Sequence, residues 1–347
     1  MGIWSVDKRA NGSYIALCIF TSACVLSLFA GSREIGFDYD NYVYHFQRVP
    51  FIYEYTWTDK SMEIGYEMIV SLCKTICNSF HFFLIAFSLI TIVLAFVLLK
   101  RYSPYVLLSF FMFFAISFYP QVMGQMRQPL AIILTLLALI PLLERKRIKL
   151  AILWIIFVGF FFHKAILLLT VPIFILTWDF HKKKIILFSV MSLTIYLFSP
   201  ALSKVIITVI PKGFYLSDVI TAYLTYKSIA VNFTLGMLER IGICFILFYY
   251  AFKYNLYEKN QTLKLCINMY FIGTCMYFAF ISMSAEFAAR GTLALVYPLF
   301  IALPILLKHA EMRDKYIILT IICLWGIYLS MYITDNSEYI PYKSIIF

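Results

Sequence analysis

Charge is what this sequence has least of. Only 14% of its 347 residues are Asp, Glu, Lys or Arg, against about 25% in a soluble globular chain. That leaves too little polar surface to coat a water-soluble fold, and no soluble domain of normal size fits anywhere in the chain. A zinc site is also missing its parts. Cys73 and Cys77 lie one helical turn apart, but no Cys or His pair nearby completes a ligand set. The eight cysteines sit mostly inside apolar segments and read as small buried hydrophobes. No small-residue cleavage site such as Ala-x-Ala follows the apolar run that opens near Tyr14, so a retained first span is expected rather than a signal peptide. No internal repeat or low-complexity run is present.

What the chain does have is apolar length. Hydrophobic residues make up 63% of it, with 34 Phe and 26 Tyr, and the mean hydropathy is +0.86. Aromatic rings suit lipid contact and the interface belts. The expected architecture is an all-α polytopic membrane protein, one transmembrane domain over residues 1–347. About eleven spans are predicted, over 14–31, 80–99, 102–119, 128–143, 150–162, 165–179, 185–207, 235–252, 265–283, 292–307 and 316–334, because a span needs about 20 apolar residues, fewer where it stops short of the full core.

The net charge of +11 raises the question of a nucleic-acid partner, and its placement answers it. With the N-terminus inside, alternation puts 1–13, 100–101, 144–149, 180–184, 253–264 and 308–315 in the cytoplasm. These segments, with boundary Asp179, hold 17 of the 29 basic residues and six of the 18 acidic ones. Twelve of each sign remain elsewhere, so the whole excess lies on one face, as the positive-inside rule requires. The basic balance therefore reflects topology and anionic lipid headgroups, with no nucleic acid. Segment 62–78 mimics a span, but counting it would place Arg145–Lys149 outside. It is expected to be an extracytoplasmic helix in the interface, within a first outer loop over 32–79. A second outer loop covers 208–234, the C-terminal tail is also outside, and His163 falls at or just below the outer surface between two short apolar segments.

A sparse set of polar residues gathers on that outer face. Asp38 and Asp40 resemble an acidic metal–nucleotide pair, but nucleotide sugars are absent outside the membrane, which leaves a solvated loop with interfacial tyrosines as the alternative. Glu63 and Glu67 stand one helical turn apart and share a face. Arg127 and Gln128 precede Pro129, apt for a first helical turn, so a guanidinium beside free N–H groups forms a small anion site; a snorkelling anchor is the simpler reading. His163 sits where ionisable groups are costly and functional by default, and its ordinary pKa suits a general base. Arg290 faces either Glu286 as an i,i+4 pair or an outer cavity shared with Arg127. Arg240, beside Glu239, is a third outer cation.

These residues also recur in a recognisable order. Gly36-Phe37-Asp38-Tyr39-x-x-Tyr42, Glu63-x-Gly65-Tyr66, Arg127-Gln128-x-Leu130-Ala131, Phe162-His163-Lys164-Ala165, Arg290 and Ile340-Pro341-Tyr342 together resemble the EpsG-like branch of the Wzy O-antigen and exopolysaccharide polymerases over nearly the whole chain. Lys164 stands where a small hydroxyl residue is expected. The resemblance implies a GT-C-like glycosyltransferase of the bacterial inner membrane, joining oligosaccharide repeat units carried on undecaprenyl diphosphate at the periplasmic face, with no metal or other cofactor. A chain-length regulator and a flippase are its implied partners. On that reading Arg127, Arg290, Arg240 and Gln128 would meet the diphosphate, since a leaving anion needs positive charge where its own charge develops. His163, Glu63 or Asp38 would serve as base, and Tyr39, Tyr42 and Tyr66 would stack on sugars. Two other readings compete: a lipid-linked oligosaccharide flippase or transporter, which would need polar groups near the midplane and similar halves, and an O-antigen ligase, which shares the chemistry.

Overall fold

The computed structural model describes residues 12–56, 62–209, 234–335 and 339–345; the predicted second outer loop lies almost wholly outside them. Among the described residues the regular structure is helical, with one isolated antiparallel bridge between Arg33 and Ser344. The helices are α1 (Gly12–Gly31), α2 (Tyr39–Arg48), α3 (Ile64–Ile76), α4 (Phe80–Tyr102), α5 (Val106–Phe113), α6 (Arg127–Glu144), α7 (Ile148–Phe161), α8 (Lys182–Val209), α9 (Leu235–Lys253), α10 (Leu256–Lys259), α11 (Gln261–Ile281), α12 (Ala285–Val296), α13 (Leu299–His309) and α14 (Met312–Asp335). Five described helices are long and apolar enough to cross a membrane. The bent pair α12–α13 would make a sixth.

Three expected segments depart from plain helical spans, each for a local reason. The predicted span 165–179 is a 3-10 helix over Lys164–Thr170 followed by turns. Pro172 lacks an N–H and disfavours helical backbone at Val171, so no α-helix continues there. The span predicted over 102–119 runs on from α5 as a π-helix, Phe114–Gly124, with Pro120 inside it. The Gln125 N–H bonds the Pro120 carbonyl five residues back, and two residues separate the π-helix from α6. The span predicted over 292–307 is two helices bent by 43° at the Tyr297-Pro298 break.

The chain divides into two compact units. The first comprises residues 1–139, 153–166 and 303–347, and the second 140–152 and 167–302. In the first, α2, α3 and α4 close on an aromatic core of Tyr42, Phe46, Tyr66, Phe83 and Phe87. The tail folds back onto the first loop: the Glu34 N–H donates to the Lys343 carbonyl at 2.9 Å and the Ile345 N–H to the Ser32 carbonyl at 3.0 Å. Tyr342 stacks on Phe29 with ring centroids 4.3 Å apart. Gly36 adopts φ +124°, and a Cβ there would stand 2.9 Å from the Tyr339 ring, so only glycine fits beneath that tail.

In the second unit, fully buried Asn268 on α11 holds the irregular stretch that replaces the expected span. Its Nδ2 donates to the Leu176 and Trp178 carbonyls, both at 2.8 Å, and its Oδ1 accepts from the Tyr257 hydroxyl at 2.7 Å. That hydroxyl in turn accepts the Phe180 N–H at 2.9 Å. Non-helical backbone buried in a membrane protein persists only where its polar groups are satisfied by protein. Asn268→Leu should therefore cost on the order of 2 kcal/mol. A lowered melting temperature of the detergent-purified protein, with helix content retained, is the expected result.

Candidate functional site

The first unit assembles its polar residues around α3. One face of that helix is buried through Tyr66, Glu67, Val70, Cys73 and Lys74, a helical i, i+3, i+4 pattern. Met68, Leu72 and Ile76 stay exposed on the other side, a composition suited to an interface. Lys74 projects under the end of α2, where its Nζ donates to the carbonyls of Phe46, Gln47 and Val49 at 3.0, 3.1 and 2.8 Å. A cation there satisfies the carbonyls a helix leaves unpaired and complements its dipole. α2 is thereby fixed against α3, with Tyr42 and His45 directed into the shared core.

Glu63 and Glu67, predicted to share a face, are both buried but serve separate networks. The Glu67 carboxylate accepts the Met62 N–H at 2.9 Å and the Tyr55 hydroxyl at 2.8 Å, and His45 Nε2 lies 3.3 Å away. Burial opposes ionisation of Glu67, but these donors outweigh it and hold its carboxyl below the ordinary value of 4.5. Burial also lowers the His45 pKa below 6.5 despite the Glu67 carboxylate, so the ring is neutral at pH 7.

Glu63 meets Arg127. The guanidinium Nη1 contacts Glu63 Oε2 directly, and Glu63 Oε1 accepts the Lys164 N–H at 3.3 Å. Lys164, whose side chain departs from the expected small hydroxyl, contributes here through its backbone. The approach depends on Gly65, where a Cβ would stand 2.8 Å from the Phe161 carbonyl oxygen. The Arg127 guanidinium also lies 5.5 Å from the Tyr66 ring centroid and faces the Tyr42 hydroxyl. Its side chain is 24% exposed, while its Nε is buried without a hydrogen-bond partner among the described residues. Arg127 is the first residue of α6, and buried Gln128 follows.

The remaining predicted residues are placed as follows. His163 Nδ1 accepts the Ala165 N–H at 3.3 Å, which puts the proton of a neutral ring on Nε2. Asp38 caps the start of α2 with left-handed backbone, φ 59°, and is half-buried. Tyr39 lies edge-on to Phe80. Tyr42 and Tyr66 are only 3% and 1% exposed, and Tyr66 is ringed by Tyr42, His45, Phe83 and Phe87. In this conformation neither presents a free ring face for a sugar; both pack beside Arg127 instead.

In the second unit Arg290 pairs with Glu286 at 2.8 Å. Arg240 lies over the Tyr277 ring at 3.9 Å, with one Nη buried and without a hydrogen-bond partner among the described residues. Arg240 continues the α9 stripe of Cys244 and Phe248 at four-residue spacing. That stripe lines an apolar groove of about 490 Å³ together with Leu193, Phe271 and Phe278.

Sequence reasoning missed His45, Tyr55, Lys74 and the buried Arg33. Arg33 donates to the Ala30 carbonyl and to Met126 Sδ, and burial lowers its pKa to about 10. The available signal was the spacing of Tyr42, His45 and Phe46, which reads as one face of a short amphipathic helix inside a loop treated as polar.

Taken together, these units describe an all-helical, polytopic membrane protein with a charged cluster built on a short helix between its first spans. The chain belongs to the EpsG family, whose sequence profile matches residues 15–344. The EpsG family is a Wzy-like polymerase family. No curated protein and no solved structure matches the chain.

The neutral, buried His45 gives the first unit a pH dependence. Its pKa is lowered in the fold, so the stability it contributes is present above the ordinary value of 6.5 and is lost as pH falls through that value. Glu67 adds to the loss at lower pH, around and below 4.5. Lowering the buffer from about pH 7.5 to about pH 5.5, across the His range, should lower the melting temperature, and His45→Gln should flatten that decline.

Proposed function

We propose that the chain is a glycosyltransferase that polymerises oligosaccharide repeat units carried on undecaprenyl diphosphate. It works at the periplasmic face of the bacterial inner membrane, with the N-terminus cytoplasmic and about eleven passes in a GT-C arrangement. The observation that carries this reading is the Arg127–Glu63 pair, held on a short helix in a protein of the EpsG family.

The chemistry follows from those groups. The growing chain on one lipid is transferred to the non-reducing end of a unit on another. The acceptor oxygen bonds to the anomeric carbon as the carbon–oxygen bond to the diphosphate breaks, and its electron pair leaves on the undecaprenyl diphosphate. Arg127, with Gln128 beside it in the first unit, stabilises that developing charge; Arg290 and Arg240, in the second unit, are further cations tested on their own. Glu63 takes the hydroxyl proton. His163 is the weaker base, because its Nδ1 lone pair is engaged by Ala165, and Asp38 stands apart from the guanidinium's direct ion pair. The apolar groove of the second unit is suited to a lipid chain.

Arg127→Ala and Arg290→Ala should each leave lipid-linked single units unpolymerised while the protein still inserts. Normal polysaccharide length in both would sink the assignment. In a deletion strain, loss of the ladder with one unit still attached marks a polymerase. No attached units would mark a ligase, and accumulation on the cytoplasmic face a flippase.

A further inference from the structure

The Arg127–Glu63 contact has a feature that an ordinary structural ion pair does not require. Both carboxylate oxygens of Glu63 are held by donors from outside its own helix: Arg127 Nη1 at the start of α6 and the Lys164 N–H at the start of the 3-10 turn. Two donors converging on one small anion from separate elements make a receptor for an oxyanion. Glu63 fills it incompletely. A guanidinium has five N–H donors in a planar fork. The contact to Glu63 is made through Nη1, and Nε is buried without a hydrogen-bond partner among the described residues. A phosphoryl group, with three oxygens and a larger charge, matches that fork bidentately where this carboxylate does not. The Tyr42 hydroxyl lies against the same guanidinium and carries a neutral O–H donor of its own.

We propose that Glu63 is an intramolecular occupant of the phosphoryl seat formed by Arg127, the Lys164 N–H and Tyr42. The diphosphate of the donor binds by displacing its carboxylate. This deepens the polymerase reading and rests on it. The consequence is a coupling between binding and chemistry. While Glu63 sits on Arg127, its carboxylate oxygens are occupied by the guanidinium and the Lys164 N–H and are not open to an acceptor hydroxyl. Once phosphate takes the guanidinium, Glu63 is released as a base beside the bond to be broken, so the base becomes competent when a donor is present. The apparent affinity for diphosphate is lowered by the fraction of protein in which Glu63 holds the seat, and removing its charge raises that affinity.

The test measures binding of geranylgeranyl diphosphate and of inorganic pyrophosphate to purified full-length protein in nanodiscs, for wild type, Glu63→Gln, Arg127→Ala and the double variant. Glu63→Gln should bind about tenfold more tightly, equivalent to about 1.4 kcal/mol of competition removed, while its polymerising turnover falls. Arg127→Ala should bind weakly, and adding Glu63→Gln to it should change nothing, because the competition exists only through Arg127. Tightening for both probes assigns the seat to the phosphoryl group alone. Tightening confined to the isoprenoid probe assigns it to the lipid-borne donor. Glu63→Gln binding no tighter than wild type, in protein that stays monodisperse with an unchanged helix content, overturns the displacement proposal and leaves the polymerase reading standing. Equal binding by wild type and Arg127→Ala overturns the seat itself. If Glu63 were only a structural brace, its replacement would weaken binding and turnover together.

Discussion

A guanidinium at the margin of an apolar protein has to find an anion, and in the first unit Arg127 finds Glu63. That requirement organises more of the structure than any other contact. Glu63 can reach Arg127 only because α3 begins where it does, and α3 begins there because Gly65 lets its backbone close on the end of α7. The Lys164 N–H reaches the same carboxylate because the chain leaves helical geometry after α7 and restarts as a 3-10 turn. Three pieces of chain, distant in sequence, are thereby tied at one carboxylate. Charge in a low-dielectric setting is costly unless paired and hydrogen-bonded, and the pairing chosen here holds together the residues most able to do chemistry.

The same constraint recurs elsewhere. Lys74 closes the end of α2 by supplying protons to three carbonyls that would otherwise face an apolar core. Asn268 does the equivalent for the non-helical stretch after Thr170. Glu67 gathers an imidazole, a phenol and a backbone N–H. In each case a polar side chain is buried to satisfy backbone or charge that helix geometry leaves open. Such arrangements are expensive to break, because removal of one partner strands the others without water. They therefore make a rigid frame within each unit.

Much of this was legible before any coordinates. Long apolar runs marked most of the helices. Charge parity set 62–78 apart from the predicted spans, and α3 stands there as a helix of 13 residues. Motif residues pointed to Glu63 and Arg127 independently, as a base and an anion contact. What motifs could not supply was their mutual distance, and the pairing changes the meaning of both. The tyrosines illustrate the opposite case. Tyr42 and Tyr66 looked like sugar-stacking rings in a loop, but the short helices α2 and α3 bury them, since a helix face of Tyr42, His45 and Phe46 packs better against α4 than against water.

Composition and hydropathy by themselves determined that this is a helical membrane protein. Hydropathy and the positive-inside bias are properties of segments, and a segment carries them wherever it folds. Ordered motifs determined the family, because each residue type needs only its place along the chain. Tertiary structure alone decided that Arg127 is held by Glu63, that Lys164 acts through its backbone N–H, that His45 lies buried on Glu67, and that 164–177 is no α-helix. Each of those depends on which groups meet across long sequence separations and on which backbone atoms are left to be satisfied, and neither is encoded in local pattern.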